Sequence, residues 1–415
     1  MSVVRPFKGI RPNSRLAHQV ASLPYDVMNK IEAKKLVENN PYSFLHVSRS
    51  EIDLGENIDA YDLKVYEKAK ANLKKMIKEG ILIQDSNPNF YIYRQIMGGR
   101  TQTGLVACTS IDDYLDNTIK KHEHTRLEKE IDRINHFDFC DANTEPVFLT
   151  YRSNDRISLL IDGWTKKHQP LYSFITDDDI SHIIWVVDNN EMIGELQELF
   201  VKVDSLYIAD GHHRSASSVK VGLKRRQSNP DYTGDEEFNY FLSVLFPDED
   251  LFIMDYNRVV RDLNSLSEEE FLSKLDKCFI ISPHKETGQY KPDSKHIFGM
   301  YLNKQWYKLT ARNGTFDEVN PIDSLDVSIL QNNVLAPILG ILDPRTDKRI
   351  DFVGGIRGLS ELERRVQTDM KVAFALHPPS MEDLLAIADL GYVMPPKSTW
   401  FEPKLRSGLF IHNLY

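Results

Sequence analysis

The chain has 415 residues, 41% of them hydrophobic and 27% charged, which suits two or three domains with real cores and excludes a disordered or fibrous chain. A net charge of −10 argues against broad binding to nucleic acid or to an anionic membrane, so any anion site must be built locally. Cys108, Cys140 and Cys278 make neither a disulfide framework nor a zinc box, no apolar run approaches the ~20 residues of a membrane span, and "MSVVRPFKGIRP" lacks the apolar core of a signal peptide, so a reducing, cytoplasmic setting is expected.

The first forty residues are punctuated by Pro6, Pro12 and Pro24, with helical periodicity only from about Asn29 to Glu38. "NPYSFLHVSRSEID" reads as a short strand leading into a polar loop. Apolar residues at three- and four-residue spacing over 60–79, followed by Gly80, predict a helix. "FYIYRQIM" and "TGLVACTSI" predict a hairpin around Gly98-Gly99. Residues 121–136 are almost wholly charged and polar. "EPVFLTYRS" and "HIIWVVDN" are strands, and Glu191 to Phe200 is a short helix. "YFLSVLFPDEDLFIMDYNRVV" offers two more strands around an acidic loop.

Composition shifts at about residue 264. Ser267 caps "EEEFLSKL", whose opening acids favour the helix dipole. "KHIFGMYLNKQWYKLTA" is a hairpin with Asn303-Lys304 at its tip, "RIDFVGG" and "KVAFALHP" are strands, and Ser380 caps a helix that stops at Gly391. No repeat is present. Mixed helices and hairpins predict an α+β fold with mixed sheets, with residues 1–264 carrying the main motifs and 265–415 forming a C-terminal α+β lobe.

Four stretches carry candidate chemistry. In "SLYIADGHHRSASSVKVGLK" an apolar run ends in Asp210-Gly211-His212-His213-Arg214 before a helix-compatible segment. A strand–loop–helix junction there points backbone N–H groups outward, Gly211 permits close approach, and imidazole and guanidinium groups suit phosphate. Asp210 adds an acid for Mg²⁺ or a substrate amine. The alternative is a capped turn with solvated side chains. In "IKKHEHTRLEKEIDR", Glu123 between His122 and His124 is a candidate general base, and a charged, solvated helix face is the alternative. "MPPKSTWFEPKLRSGLFIH" places Lys397, Ser398, Thr399, Lys404 and Arg406 within ten residues, which suits either a phosphate-holding loop or a basic hairpin. "ASLPYDV" and "HVSRSEID" supply Tyr25, Asp26, Arg49 and Glu51 as candidate ligand contacts or surface pairs.

"SLPYDV", "HVSR.E", "GLVA…Y…I.KHEHT", "LYIADGHHR", "NRVVRDL" and "MPPKSTWFEPKLRSGLFIH" occur in the order seen in the family called domain of unknown function 1015, and the resemblance covers nearly the whole chain. More distantly, "HE" followed by "DGHHR" resembles the site of free-serine kinases of the ParB/sulfiredoxin-like fold. That resemblance implies a nucleotide-binding core with ATP or ADP and Mg²⁺ as cofactors. It implies Glu123 as base towards a serine hydroxyl and Asp210 as catalytic or metal-holding acid. It also implies His212, His213 and Arg214 as phosphate ligands. His122 beside Glu123, Gly211 beside His212, and Lys397, Ser398, Thr399, Lys404 and Arg406 by the density of donors in their loop, are expected at the same phosphate or nucleotide site. Tyr25, Asp26, Arg49 and Glu51 are then the substrate contacts. The chain departs from the pattern in a long insert between Glu123 and Asp210 and in extra segments at both ends.

The expected function is a small-molecule kinase acting on free L-serine or a similar hydroxylated metabolite. A nucleotide-binding regulator and a phosphatase or nucleotide hydrolase are the alternatives. No Walker A pattern and no kinase glycine loop occurs. The expected partner is a small-molecule substrate, without nucleic acid or membrane, and a homodimer is left open.

Overall fold

A computed structural model describes residues 2–415. The chain forms two compact units, Met1–Leu251 with Pro403–Tyr415, and Phe252–Glu402. The expected boundary at 264 therefore falls inside the second unit, and the end of the chain returns to the first. The fold is mixed α+β.

The first unit is built on a nine-stranded sheet. Its order is Ile119–Lys120, Leu206–Asp210, Val147–Tyr151, Tyr240–Pro247, Arg100–Ser110, Phe90–Met97, Ser181–Val187 and Tyr172–Ile175, with Val4–Arg5 also on Arg100–Ser110. Leu206–Asp210 runs parallel to Ile119–Lys120 and antiparallel to Val147–Tyr151. The central strands are apolar on both faces: Leu105, Val147, Leu149 and Leu245 on one face and Val106, Phe148, Val244 and Phe246 on the other are all buried, as expected for a sheet covered on both sides. Phe90–Met97 and Arg100–Ser110 form the expected hairpin, and Gly98 and Gly99 supply the two positive φ angles of its turn.

Several helices start where the sequence places their caps. Asn29 closes a capping box on Lys30–Val37, and the helix Leu63–Lys78 ends before Gly80. One expectation fails locally. The stretch read as a strand after Pro41 is a helical turn, Leu45–Ser48, followed by a 3₁₀ turn, Ser50–Asp53. Phe44, Leu45 and Val47 are all buried, so this short apolar run has no exposed face to show an alternating period.

The helix Leu127–Cys140 departs most from its expected character. It is not a solvated charged face: Glu130, Asp132, Arg133 and His136 are buried, while Leu127 is 68% exposed. It packs on the helix His212–Ser228, whose Ser215, Ala216, Ser217 and Ser218 are small enough to admit it. Ser217 Oγ donates to the Glu130 carbonyl at 3.0 Å, and Lys220 pairs with the Glu130 carboxylate.

The second unit is built on a six-stranded antiparallel sheet in the order Phe279–Pro283, Gln305–Ala311, Ile297–Leu302, Val372–Ala375, Tyr256–Val260 and Ile350–Gly354. Ser267 and Ser380 close capping boxes on Glu268–Leu275 and Met381–Asp389. Among the described residues, no helix is long and apolar enough to cross a membrane.

Candidate functional site

The strand Leu206–Asp210 ends at the acid, and the helix His212–Ser228 begins two residues later. Gly211 lies between them with φ 96°, in the left-handed region that other residues rarely adopt. A Cβ on Gly211 would sit 3.0 Å from Arg214 Nε, so glycine lets the guanidinium lie against the backbone. No side chain caps this helix. Its first-turn N–H groups and the positive end of its dipole are therefore available to an anion.

Two segments meet this turn. Glu123 Oε2 lies 3.6 Å from His212 Nδ1, and the His122 and His212 rings meet edge to face at 4.4 Å between centroids. The backbone N–H of His122 points at His212 Nε2 at 3.5 Å, which leaves the imidazole proton on Nδ1, facing Glu123. The backbone N–H of Arg126 donates to His213 Nε2 at 3.0 Å. From the C-terminal segment, Lys404 Nζ reaches Asp210 Oδ2 at 3.4 Å.

The charges sort by burial. Burial alone would raise the pKa of Asp210, but the charges of Lys404 and Arg214 outweigh it and hold the carboxyl well below the usual range. Burial pulls His122 down to about 4, and burial followed by the neighbouring His122 pulls His212 far down. His213 is also lowered, chiefly by burial. All three rings are thus neutral near pH 7. Both ring nitrogens of His122 are buried without a hydrogen-bond partner.

Arg214 does not reach into solvent. It is 3% exposed, donates from Nη1 to the Pro146 carbonyl at 2.5 Å, and meets Asp210 at 3.3 Å through Nη2. Its place is behind the turn, holding Asp210. Tyr25 is buried with Arg133 stacked over its ring at 3.8 Å, and Asp26 is exposed, its charge acting on both His213 and Arg214. Arg49 and Glu51 pair at 2.6 Å, and Arg49 also donates to the carbonyls of Tyr25 at 2.8 Å and Met28 at 2.9 Å. Their contacts thus support the Tyr25 turn.

The loop candidates separate. Lys404 joins Asp210. Arg406, 3% exposed, engages Asp178, Thr176 and His182. Lys397, Ser398 and Thr399 belong to the second unit, where Lys397 Nζ lies 5.5 Å from the Tyr256 ring and Ser398 Oγ donates to the Pro395 carbonyl at 2.6 Å.

The sequence reading missed Glu145 and the inward role of Arg133. Glu145 is 1% exposed, accepts from the Tyr25 N–H at 3.4 Å and from Ser407 Oγ at 2.7 Å, and lies 3.7 Å from Arg133. Burial raises its pKa against the pull of Arg133 and Arg214. The one signal for it was an acid opening the apolar run "EPVFLTY". Among the described residues no group of three or more His, Cys, Asp or Glu side chains could hold a metal ion.

Solved structures similar to the chain include three that illustrate the likeness. A conserved hypothetical protein from Pyrococcus furiosus is 14% identical with a TM-score of 0.37, over 75% of this chain and 97% of its own. A free serine kinase in complex with AMP is 12% identical with a TM-score of 0.37, over 74% of this chain and 91% of its own. SbnI with a C-terminal truncation, from Staphylococcus aureus, is 11% identical with a TM-score of 0.39, over 74% and 87%. No curated protein matches the chain. The motifs that meet around Asp210 fall within residues 4–328, apart from Lys404, and over that range the chain belongs to the family described as "Protein of unknown function (DUF1015)".

Proposed function

We propose that the chain is a small-molecule kinase that binds a nucleotide phosphate at the turn 210–214 and phosphorylates a hydroxyl presented to Glu123. The observation that carries this reading is an uncapped helix start with Glu123, from a distant segment, 3.6 Å from His212. Phosphoryl transfer asks the protein mainly for N–H groups and cations around the phosphates and an acid on the nucleophile. The first amides of the helix His212–Ser228 and the ammonium of Lys404 supply the former. Glu123, whose carboxylate lies 3.6 Å from the Nδ1 of neutral His212, accepts the proton of the acceptor hydroxyl. Arg214 acts from behind by keeping Asp210 ionised and in place. Asp26, facing His213 and Arg214, lies where an acceptor's amino group would be met.

The donor set suits Mg²⁺ carried by a nucleotide. Asp210 is the one carboxylate at the turn itself, and Mg²⁺ is commonly held by one or two carboxylates plus phosphate oxygens. Bound there, the ion would neutralise phosphate charge. The acceptor that the motif resemblance favours is free L-serine or a similar hydroxylated metabolite.

The test is a product assay on the purified protein with ATP or ADP, Mg²⁺ and a panel of hydroxylated amino acids and sugars, beside Glu123→Gln. A phosphorylated acceptor that disappears in the variant while AMP affinity persists is the expected result. AMP binding without turnover would make the chain a regulator. Phosphate release without an acceptor would make it a hydrolase. Absence of nucleotide binding would end the reading.

A further inference from the structure

The second unit holds a separate cavity of about 20 Å³ among Tyr256, Arg258, Lys295, Asp326, His377 and Ser398. Arg258, on the strand Tyr256–Val260, is 2% exposed. Its guanidinium donates to the carbonyls of Tyr256, Pro396 and Lys397 and lies 5.4 Å from the Phe352 ring. Among the described residues no carboxylate pairs with it. A buried guanidinium without a counter-charge costs several kcal/mol, a cost that an anion entering the cavity would offset. Burial pulls its pKa down to about 10, the direction expected of a desolvated cation lacking an acid partner.

The opposite wall is also incomplete. Asp326, at the start of the helix Asp326–Leu330, is 6% exposed. One carboxyl oxygen accepts from the His296 N–H at 2.7 Å, and the other, Oδ2, is buried without a partner. His377 Nδ1 is buried and unpartnered as well. Burial pushes Asp326 up to about 7, against the pull of the His296 and His377 N–H groups and of Lys295, so near neutrality about half of it is in the neutral form that can donate. Lys295 is exposed, paired with Asp383 at 2.7 Å.

We propose that this cavity is a carboxylate-binding site, which takes the head group of a small organic acid against Arg258, Asp326 and His377, with Lys295 at its mouth. Size decides between anions. A buried water needs about 10–15 Å³ of such space, so about 20 Å³ suits the two oxygens of a carboxylate better than the four of a phosphate. The site gives Ser398 and the carbonyls of Pro396 and Lys397 a role apart from the turn at Asp210.

The full chain is titrated with formate and acetate by calorimetry and thermal shift, against inorganic phosphate and chloride at matched ionic strength. Saturable binding of the carboxylates with no response to phosphate or chloride is expected. Arg258→Gln should weaken it at least tenfold, the scale of a charge-assisted hydrogen bond. Should that variant not fold, Lys295→Glu at the exposed mouth decides, with a loss of about tenfold expected. A response to formate and acetate no larger than to chloride would mean a trapped water only and overturn the proposal. So would phosphate binding as tightly as acetate, or carboxylate binding unchanged in a folded variant.

Discussion

Two buried histidine clusters in the first unit, reached by residues only two apart in the chain, are finished differently. At His182 every buried polar atom has a partner. Tyr93 Oη meets Nδ1 at 2.7 Å, Thr176 Oγ1 and Arg406 Nε meet Nε2 at 3.1 and 3.3 Å, and Arg406 pairs with Asp178. At His212 the cluster stays open: both nitrogens of His122 and Nε of Arg214 lack partners, and the helix above has no cap. A closed polar network rigidifies a fold, whereas an open one at a helix start leaves donors for a ligand. Lys404 serves the open cluster and Arg406 the closed one.

The sharpest way to break this contrast is Glu123→Gln. Its side chain is 40% exposed, so stability should stay within about 0.5 kcal/mol while turnover falls about 10²–10⁴-fold. Urea denaturation and the product assay read the two effects separately. Arg406→Ala should do the reverse. The Arg406 guanidinium is buried, but its partner Asp178 is exposed and stays hydrated, so the loss is that of its hydrogen bonds to His182 and Thr176, about 1–3 kcal/mol of stability, with AMP affinity of the folded fraction unchanged. A selective loss of AMP binding in this variant would show that the closed cluster belongs to the site.

Lys404→Ala should weaken AMP and phosphoserine binding by about 1–3 kcal/mol in calorimetric titration, the range for charge-assisted hydrogen bonds. Unchanged affinity for both would make its pairing with Asp210 structural. Gly211→Ala carries a left-handed backbone and a contact with Arg214, and should cost about 1–2 kcal/mol of stability together with nucleotide affinity. An alanine variant as stable as the parent would show that the turn relaxes.

The smallest effect is in pH. His182 and His122 are held neutral, down to about 3 and about 4, while their unfolded-state values lie near 6.5. Between pH 6.5 and those values the unfolded chain binds more protons. The stability they confer is thus full above pH 6.5 and lost as pH falls, by up to about 1.4 kcal/mol per pH unit for each ring. His182→Gln should flatten this acid slope without nucleotide. Saturating AMP should flatten only the part that belongs to His122 and His212. Denaturation at pH 7, 6 and 5 with and without AMP separates them, and identical slopes in all cases would dissolve the distinction.

Much of the local architecture was legible in the amino-acid order. The caps at Asn29, Ser267 and Ser380, the Gly98-Gly99 and Asn303-Lys304 turns and the strand-to-helix junction at Asp210 each depend on a few neighbouring residues. Backbone N–H groups and positive φ angles impose the same demand wherever they occur, so such features can be read without knowing what lies nearby. Half of the candidate site was legible in the same way, as an acid, a glycine and basic residues at a strand end.

Tertiary structure decided the rest. Leu127–Cys140 looked like a solvated charged face, yet it buries Glu130 and Arg133 and exposes Leu127, because its partners are Lys220 on another helix and Glu145 beside a strand. The assignment of Lys404 to Asp210, Arg406 to Asp178 and Ser398 to a cavity in the second unit is equally invisible in their spacing. The physical reason is range. A cap or a turn is satisfied within four residues, whereas a buried charge is satisfied only by whichever opposite charge or carbonyl the fold carries to it.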